Sequence, residues 1–130
     1  MKKVIFVCGE NACRSQMAEA IYNSLSKYSN AESGGTFPGP RVNPLAIQAM
    51  AEIGMDISSN KPKGLQLSRL DEYERIISFG CIVKAALPHP ERVEEWLIED
   101  PAGKDLPFFR VTRDEIRRRV ELLINEMEDS

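Results

Sequence analysis

The chain has 130 residues, of which 42% are hydrophobic and 28% charged, and carries a net charge of -3. That length suits one domain with one core, expected to span residues 1–130, and the charge balance argues against nucleic acid or an anionic membrane as a partner. The apolar run from Met1 to Val7 is too short for a signal-peptide core or for a membrane span of roughly 20 residues, so a soluble cytoplasmic protein is expected.

The first element in chain order is Lys3 to Val7, an unbroken β-branched and aromatic run of the kind buried on both faces of a parallel sheet. From Arg14 the apolar residues Met17, Ala18, Ile21 and Leu25 recur at helical spacing, predicting a helix that reaches about Lys27. Asn30 to Gly35 reads as a second strand. The turn residues Phe37-Pro38-Gly39-Pro40 follow it, and Asn43 caps a second helix with Pro44 in its first turn. That helix ends near Gly54, and a shorter helical stretch is expected around Leu65 to Leu70.

Arg75 to Phe79 is the third strand and Glu95 to Ile98 a short fourth. The last helix is expected over Arg113 to Met127, with Ile116, Val120, Leu123, Ile124 and Met127 on its apolar face. Arg117, Arg118 and Arg119 sit there among acidic neighbours and read as a solvated face. Alternating strands and helices predict an α/β fold, a four-stranded parallel sheet with helices on both faces.

Three cysteines, Cys8, Cys13 and Cys81, are too few and odd in number for a disulfide framework, so each asks for a chemical explanation. Cys8 and Arg14 stand six positions apart where a buried strand hands over to a helix N-terminus. A loop there turns backbone N–H groups inward and, with the helix dipole, offers a site for a phosphate-like anion. The anion-binding residues are expected to be Gly9, Glu10, Asn11, Ala12, Cys13, Arg14 and Ser15, with Arg14 supplying a bidentate fork. The same field favours thiolate over thiol and makes Cys8 nucleophilic. Ser15 can donate to the Cys8 sulfur and Asn11 can brace the loop, while Glu10 is expected to face solvent. Taken alone, a cysteine and an arginine at this spacing also fit a strand-ending hydrophobe and an ordinary surface charge.

The segment Val-Cys-Gly-Glu-Asn-Ala-Cys-Arg-Ser-Gln-Met-Ala-Glu-Ala, Val7 to Ala20, resembles the active-site segment of the low-molecular-weight protein tyrosine phosphatase and arsenate reductase superfamily. The resemblance continues through Glu32 to Thr36, Asn43 to Ala46, Glu52 to Ser58, Asp100 to Lys104 and Arg113 to Ile116, so it covers nearly the whole chain. It implies a low-molecular-weight phosphatase-like fold. It also implies that Asp100, held extended by Pro101, is the general acid opposite Cys8.

Phosphatases of this superfamily usually place an aromatic residue after the Asp-Pro pair, whereas Ala102-Gly103-Lys104 stands here, similar to the thioredoxin-coupled arsenate reductases. In that branch Cys8 attacks arsenate, Cys81 resolves the adduct and a third cysteine passes the disulfide to thioredoxin. This chain has Ala86-Leu87-Pro88 at the third position, so the full relay is broken. The shorter route is a Cys8–Cys81 disulfide reduced by thioredoxin, glutaredoxin or a small thiol.

The alternative is a phosphotyrosine phosphatase hydrolysing phosphomonoesters through a phosphocysteine on Cys8, with Cys13 as a redox guard that forms a disulfide with it. A third reading is a non-catalytic module that binds phosphate. Some reductases of this branch bind potassium through residues matching Asn11, Glu19 and Ser33. Here Lys61 and Lys63 lie in the region that completes that site, and a lysine ammonium near Glu19 is expected to stand in for the ion. No metal and no cofactor are therefore expected. His89, the only histidine, sits between two prolines and is given no role.

Overall fold

A computed structural model describes residues 3–80 and 89–129. Four parallel strands stand in the order β2-β1-β3-β4: β1 is Lys3–Cys8, β2 Asn30–Gly35, β3 Arg75–Ser78 and β4 Val93–Glu95. The helices are α1 (Arg14–Leu25), α2 (Pro44–Ala51) and α3 (Leu106–Asp129). Because β1 has β2 on one side and β3 on the other, the chain reverses its winding beside β1, and the carboxyl ends of β1 and β3 flank the crevice where such sheets take ligands.

Alternation along β1 divides its side chains between two faces. Val4, Phe6 and Cys8 join the larger core with Met17 and Ile21 of α1, Met50 of α2 and Phe109 and Ile116 of α3. Ile5 and Val7 face the other way, onto Leu70, Tyr73, Ile76 and Val93. A 3-10 helix over Leu67–Glu72 is the helical cover of that second face among the described residues. Phe6 sits at the centre of an aromatic group, with ring centroids 6.0 Å from Tyr22, 6.4 Å from Phe79 and 5.7 Å from Trp96. No helix among the described residues is long and apolar enough to cross a membrane.

Two elements are displaced from the sequence expectation. The fourth strand runs over Val93–Glu95, with Val93 paired to Ile76, and not over Glu95 to Ile98; the Ile98 amide turns back to the Trp96 carbonyl and ends the ladder. The last helix starts two turns before Arg113, because Asp105 accepts from the Phe108 amide and caps a first turn that tolerates Pro107. Asn43 caps α2 as expected, its side chain accepting from the Leu45 amide.

The C-terminal end of α2 is clamped to α3. Arg113 Nη1 donates to the Ala49 carbonyl at 2.8 Å and to Glu52 at 2.9 Å, and Arg110 Nη2 meets Glu52 at 2.7 Å. Hydrogen bonding from Arg110, then from Arg113, holds the Glu52 carboxyl at about 2 against a usual 4.5. A depressed carboxylate contributes stability that is full above pH 4.5 and is lost as pH falls toward 2. Glu52→Gln is therefore expected to flatten the acid limb of the stability curve between those values, measured by urea unfolding at successive pH.

Gly35 ends β2 against the loop that follows β1. A Cβ there would lie 2.7 Å from the Gly9 carbonyl oxygen and 2.9 Å from the Asn11 amide nitrogen, both main-chain atoms. Relief requires the loop backbone itself to move. Gly35→Ala is expected to cost about 1–3 kcal/mol of stability and to weaken phosphate binding, read by denaturant unfolding and calorimetric titration.

Candidate active site

Cys8 is the last residue of β1 and Arg14 the first of α1, so residues 9–13 form a loop that closes one strand onto one helix N-terminus. The carbonyls of this loop are taken up from outside. Thr36 N–H donates to the Cys8 carbonyl at 3.3 Å, Phe37 N–H to Gly9 at 2.8 Å, Gly39 N–H to Glu10 at 2.9 Å and Asn43 N–H to Ala12 at 2.9 Å. In a planar trans peptide the N–H opposes the C=O, so turning these carbonyls outward turns the N–H groups of Gly9, Glu10, Asn11 and Cys13 toward the concave side. Cys13, the N-cap of α1, makes no side-chain cap bond, which leaves the first-turn N–H groups for a ligand.

Arg14 is almost wholly buried, and its partners fix its direction. Nη1 donates to the carbonyls of Phe79 and Ile98, both at 2.8 Å, and the guanidinium lies 5.6 Å from the centre of the Phe79 ring. Nε is buried without a protein partner, and Nη2 lies 3.7 Å from Asp100 Oδ2. The edge carrying Nε and Nη2 is thus the one open to an oxyanion, in the bidentate manner.

Asp100 comes to the same place from the far end of the sheet, after β4. Its Oδ1 accepts from the Ala102 amide at 3.0 Å, a turn that holds the carboxylate, and its side chain is 52% exposed. Asp100, Cys8, Gly9, Glu10, Ala12, Cys13 and Arg14 line one pocket of about 230 Å³, completed by Pro40, Arg41, Asn43, Pro44 and Ala102. None of these is aromatic.

Asn11 and Ser15 are fully buried beside Cys8. Ser15 Oγ lies 2.8 Å from Cys8 Sγ, and Asn11 Nδ2 donates to Ser15 Oγ at 2.6 Å. Asn11 has φ 53, a left-handed conformation that asparagine tolerates better than most residues. Glu10 is exposed, as expected, although it also stands at the pocket mouth beside Gly39.

Cys13 lines the pocket but is buried, and burial, then the charges of Asp100 and Cys8, push its thiol up to about 12. A thiol so held is a poor nucleophile toward the Cys8 sulfur near neutral pH. Cys81 lies outside the described residues. Gly80 before it has φ 80, and Phe79 supplies a carbonyl to Arg14. The lysine that reaches Glu19 is Lys63, with Nζ 3.0 Å from Oε1, and Ser33 donates to the same carboxylate. Lys61 contributes its carbonyl, to Gln16.

The sequence reading missed the segment Thr36–Asn43 as the outer support of the loop, and it missed Gln16. The Pro-Gly-Pro run signalled a turn there, but which carbonyls it would meet depends on the packing of β2 beside β1. At pH 8, iodoacetamide is expected to modify Cys8 while leaving Cys13 unmodified in the folded protein, as mass mapping of the peptides would read.

The model of the family described as low molecular weight phosphotyrosine protein phosphatase matches residues 3–130. The chain is 42% identical over 130 residues to the glutaredoxin arsenate reductase of Synechocystis sp., covering 95% of this chain and 97% of that one. Among solved structures, it is similar to an arsenate reductase in the phosphate-binding state, with TM-score 0.86, 41% identity and coverage of 97% and 98%. It is also similar to the low molecular weight protein tyrosine phosphatase from T. tengcongensis, with TM-score 0.88, 27% identity and coverage of 97% and 99%.

Proposed function

Because the chain belongs to the low molecular weight phosphotyrosine protein phosphatase family, we propose that it is an arsenate reductase, a single catalytic domain over residues 1–130 that works in the cytoplasm. The observation that carries the choice of acceptor is the pocket over Cys8: among the described residues its walls are Pro40, Arg41, Asn43, Pro44 and Ala102, none of which offers a ring on which an aryl ester could stack. A small inorganic oxyanion needs no such ring. The arsenate reductases among the relatives and solved structures support the same reading.

Arsenate is held by the inward N–H groups of residues 9–15 and by the Nε and Nη2 edge of Arg14. The Cys8 thiolate attacks arsenic in line, and Asp100 protonates the leaving oxygen, which departs as water. The thiolate of Cys81 then attacks the Cys8 sulfur. An S–S bond forms, the S–As bond breaks with its electron pair passing to arsenic, and As(V) leaves as As(III) arsenite. The two thiols supply both electrons. Leu87 stands where a third cysteine would carry the disulfide outward, so a thioredoxin, a glutaredoxin or a small thiol reduces the Cys8–Cys81 bond directly. The name of the Synechocystis relative, a glutaredoxin arsenate reductase, favours the glutaredoxin class.

The test is arsenite release from arsenate with glutathione and glutaredoxin present, run beside nitrophenol release from p-nitrophenyl phosphate. Cys8→Ser and Cys81→Ser are expected to abolish arsenite turnover, and Asp100→Asn to lower it about 10²-fold or more. Brisk nitrophenol release that Cys81→Ser leaves untouched, with arsenate acting only as a competitor, would instead establish a phosphatase.

A further inference from the structure

Gln16 has no exposed surface, although it lies in the first turn of α1. A buried amide without partners costs about 1–3 kcal/mol, and here every polar atom of the side chain is engaged. Nε2 donates to Asn11 Oδ1 at 2.9 Å and to the Lys61 carbonyl at 3.2 Å, while Oε1 accepts from Asn60 Nδ2 at 3.2 Å. The segment that supplies two of these partners is held to the same helix face one turn on, by the Lys63–Glu19 ion pair.

Two main-chain groups fix the direction of each amide in this cluster. A carbonyl only accepts, so the Gln16 atom facing Lys61 is its nitrogen. A backbone N–H only donates, so the Asn11 atom 2.8 Å from the Lys63 amide is its oxygen. With Oδ1 held by Lys63 and Gln16, Nδ2 of Asn11 faces Ser15 and donates to it. Ser15 Oγ is then an acceptor on that side, and its one hydrogen is left for Cys8 Sγ. A hydrogen bond donated to sulfur favours the charged form.

We propose that Gln16 is a positioning residue for the nucleophile: as the second donor on Asn11 Oδ1, beside the Lys63 amide, it holds the Asn11 amide in the direction that aims the Ser15 hydroxyl at the Cys8 sulfur, three hydrogen bonds away. Gln16 touches neither the pocket nor the anion loop's concave side. Its effect passes through Asn11 and Ser15 alone. The inference rests on Cys8 as the nucleophile, and alkylation reads that thiolate whichever oxyanion the enzyme takes. Failure of the functional proposal therefore shows in the turnover assay, and failure of this one in the alkylation profile.

The experiment follows iodoacetamide modification of Cys8 against pH by peptide mass mapping, in the wild type, Gln16→Met, Ser15→Ala and the double variant. Gln16→Met is expected to raise the midpoint by about half a pH unit or more, equivalent to roughly 0.7 kcal/mol, with phosphate affinity kept within about threefold. Ser15→Ala raises the midpoint by itself, and Gln16→Met adds nothing in its presence. Asn60→Ala, which spares the Gln16–Asn11 bond, leaves the midpoint in place. Should Gln16→Met fail to fold, Gln16→Leu carries the same test, since it is uncharged, apolar and lacks both N–H donors. A midpoint that stays put in the folded Gln16 variant, or that shifts equally with and without Ser15, overturns the proposal.

Discussion

The two hydrogen bonds from Arg14 Nη1 join parts of the chain that are far apart in sequence: the start of α1, Phe79 just after β3 and the strap after β4 at Ile98. One nitrogen thus serves two main-chain carbonyls beside the carboxyl edge of the sheet, and removing a buried partner costs about 1–3 kcal/mol per group. The Phe79 ring beneath the guanidinium adds a cation–π contact of similar or smaller size. Asp100 stands two residues after Ile98, so the same bond that closes the sheet edge helps set the place of its carboxylate beside Arg14. The remaining edge of the guanidinium faces the pocket.

Around this junction the supports are layered by kind. Below it lies the aromatic group of Phe6, Tyr22, Phe79 and Trp96, whose fully buried members contribute about 1.5–3 kcal/mol each through area alone. Outside it, the Thr36–Asn43 segment holds the loop by four main-chain bonds. Ion pairs on the surface, such as Arg69–Glu72, which is exposed on both sides, are each worth about 0–1 kcal/mol. The site is therefore held by packing, by backbone hydrogen bonds and by the Nη1 side of Arg14, whose other edge is left unpaired by main-chain groups. The Arg117–Arg119 run turns out as a solvated face, with Arg118 and Arg119 both on Glu115.

Much of the site was legible because it is local. Cys8, Asn11, Arg14 and Ser15 fall within one strand-to-helix connection, and a strand followed by a helix leaves few ways to arrange it. Asp100 could be assigned only through a resemblance, since an Asp-Pro pair marks many turns, and what brings it to Arg14 is a parallel ladder between β3 and β4. Boundaries failed for physical reasons of the same sort. Glu95 to Ile98 had the composition of a strand, but pairing is decided by which residues meet Ile76 and Ser78, and these are Val93 and Glu95. Gln16 left no trace in the sequence, because a polar residue in a first helical turn is ordinary until another loop buries it.

The sequence by itself determined the order of strands and helices, through the switch between a continuous apolar run and a helical period, and the chemistry at the β1–α1 junction, through residue types a few positions apart. Only the tertiary structure decided how the loop of residues 9–13 is held, which edge of Arg14 main-chain carbonyls leave unpaired, how deeply Cys13 is buried and which way the Asn11 amide points. Each of these depends on partners 25 or more residues distant, Gly35, Thr36, Lys63, Phe79 and Ile98 among them. A local pattern cannot specify such partners, because burial and hydrogen-bond direction exist only once the sheet has brought the segments together.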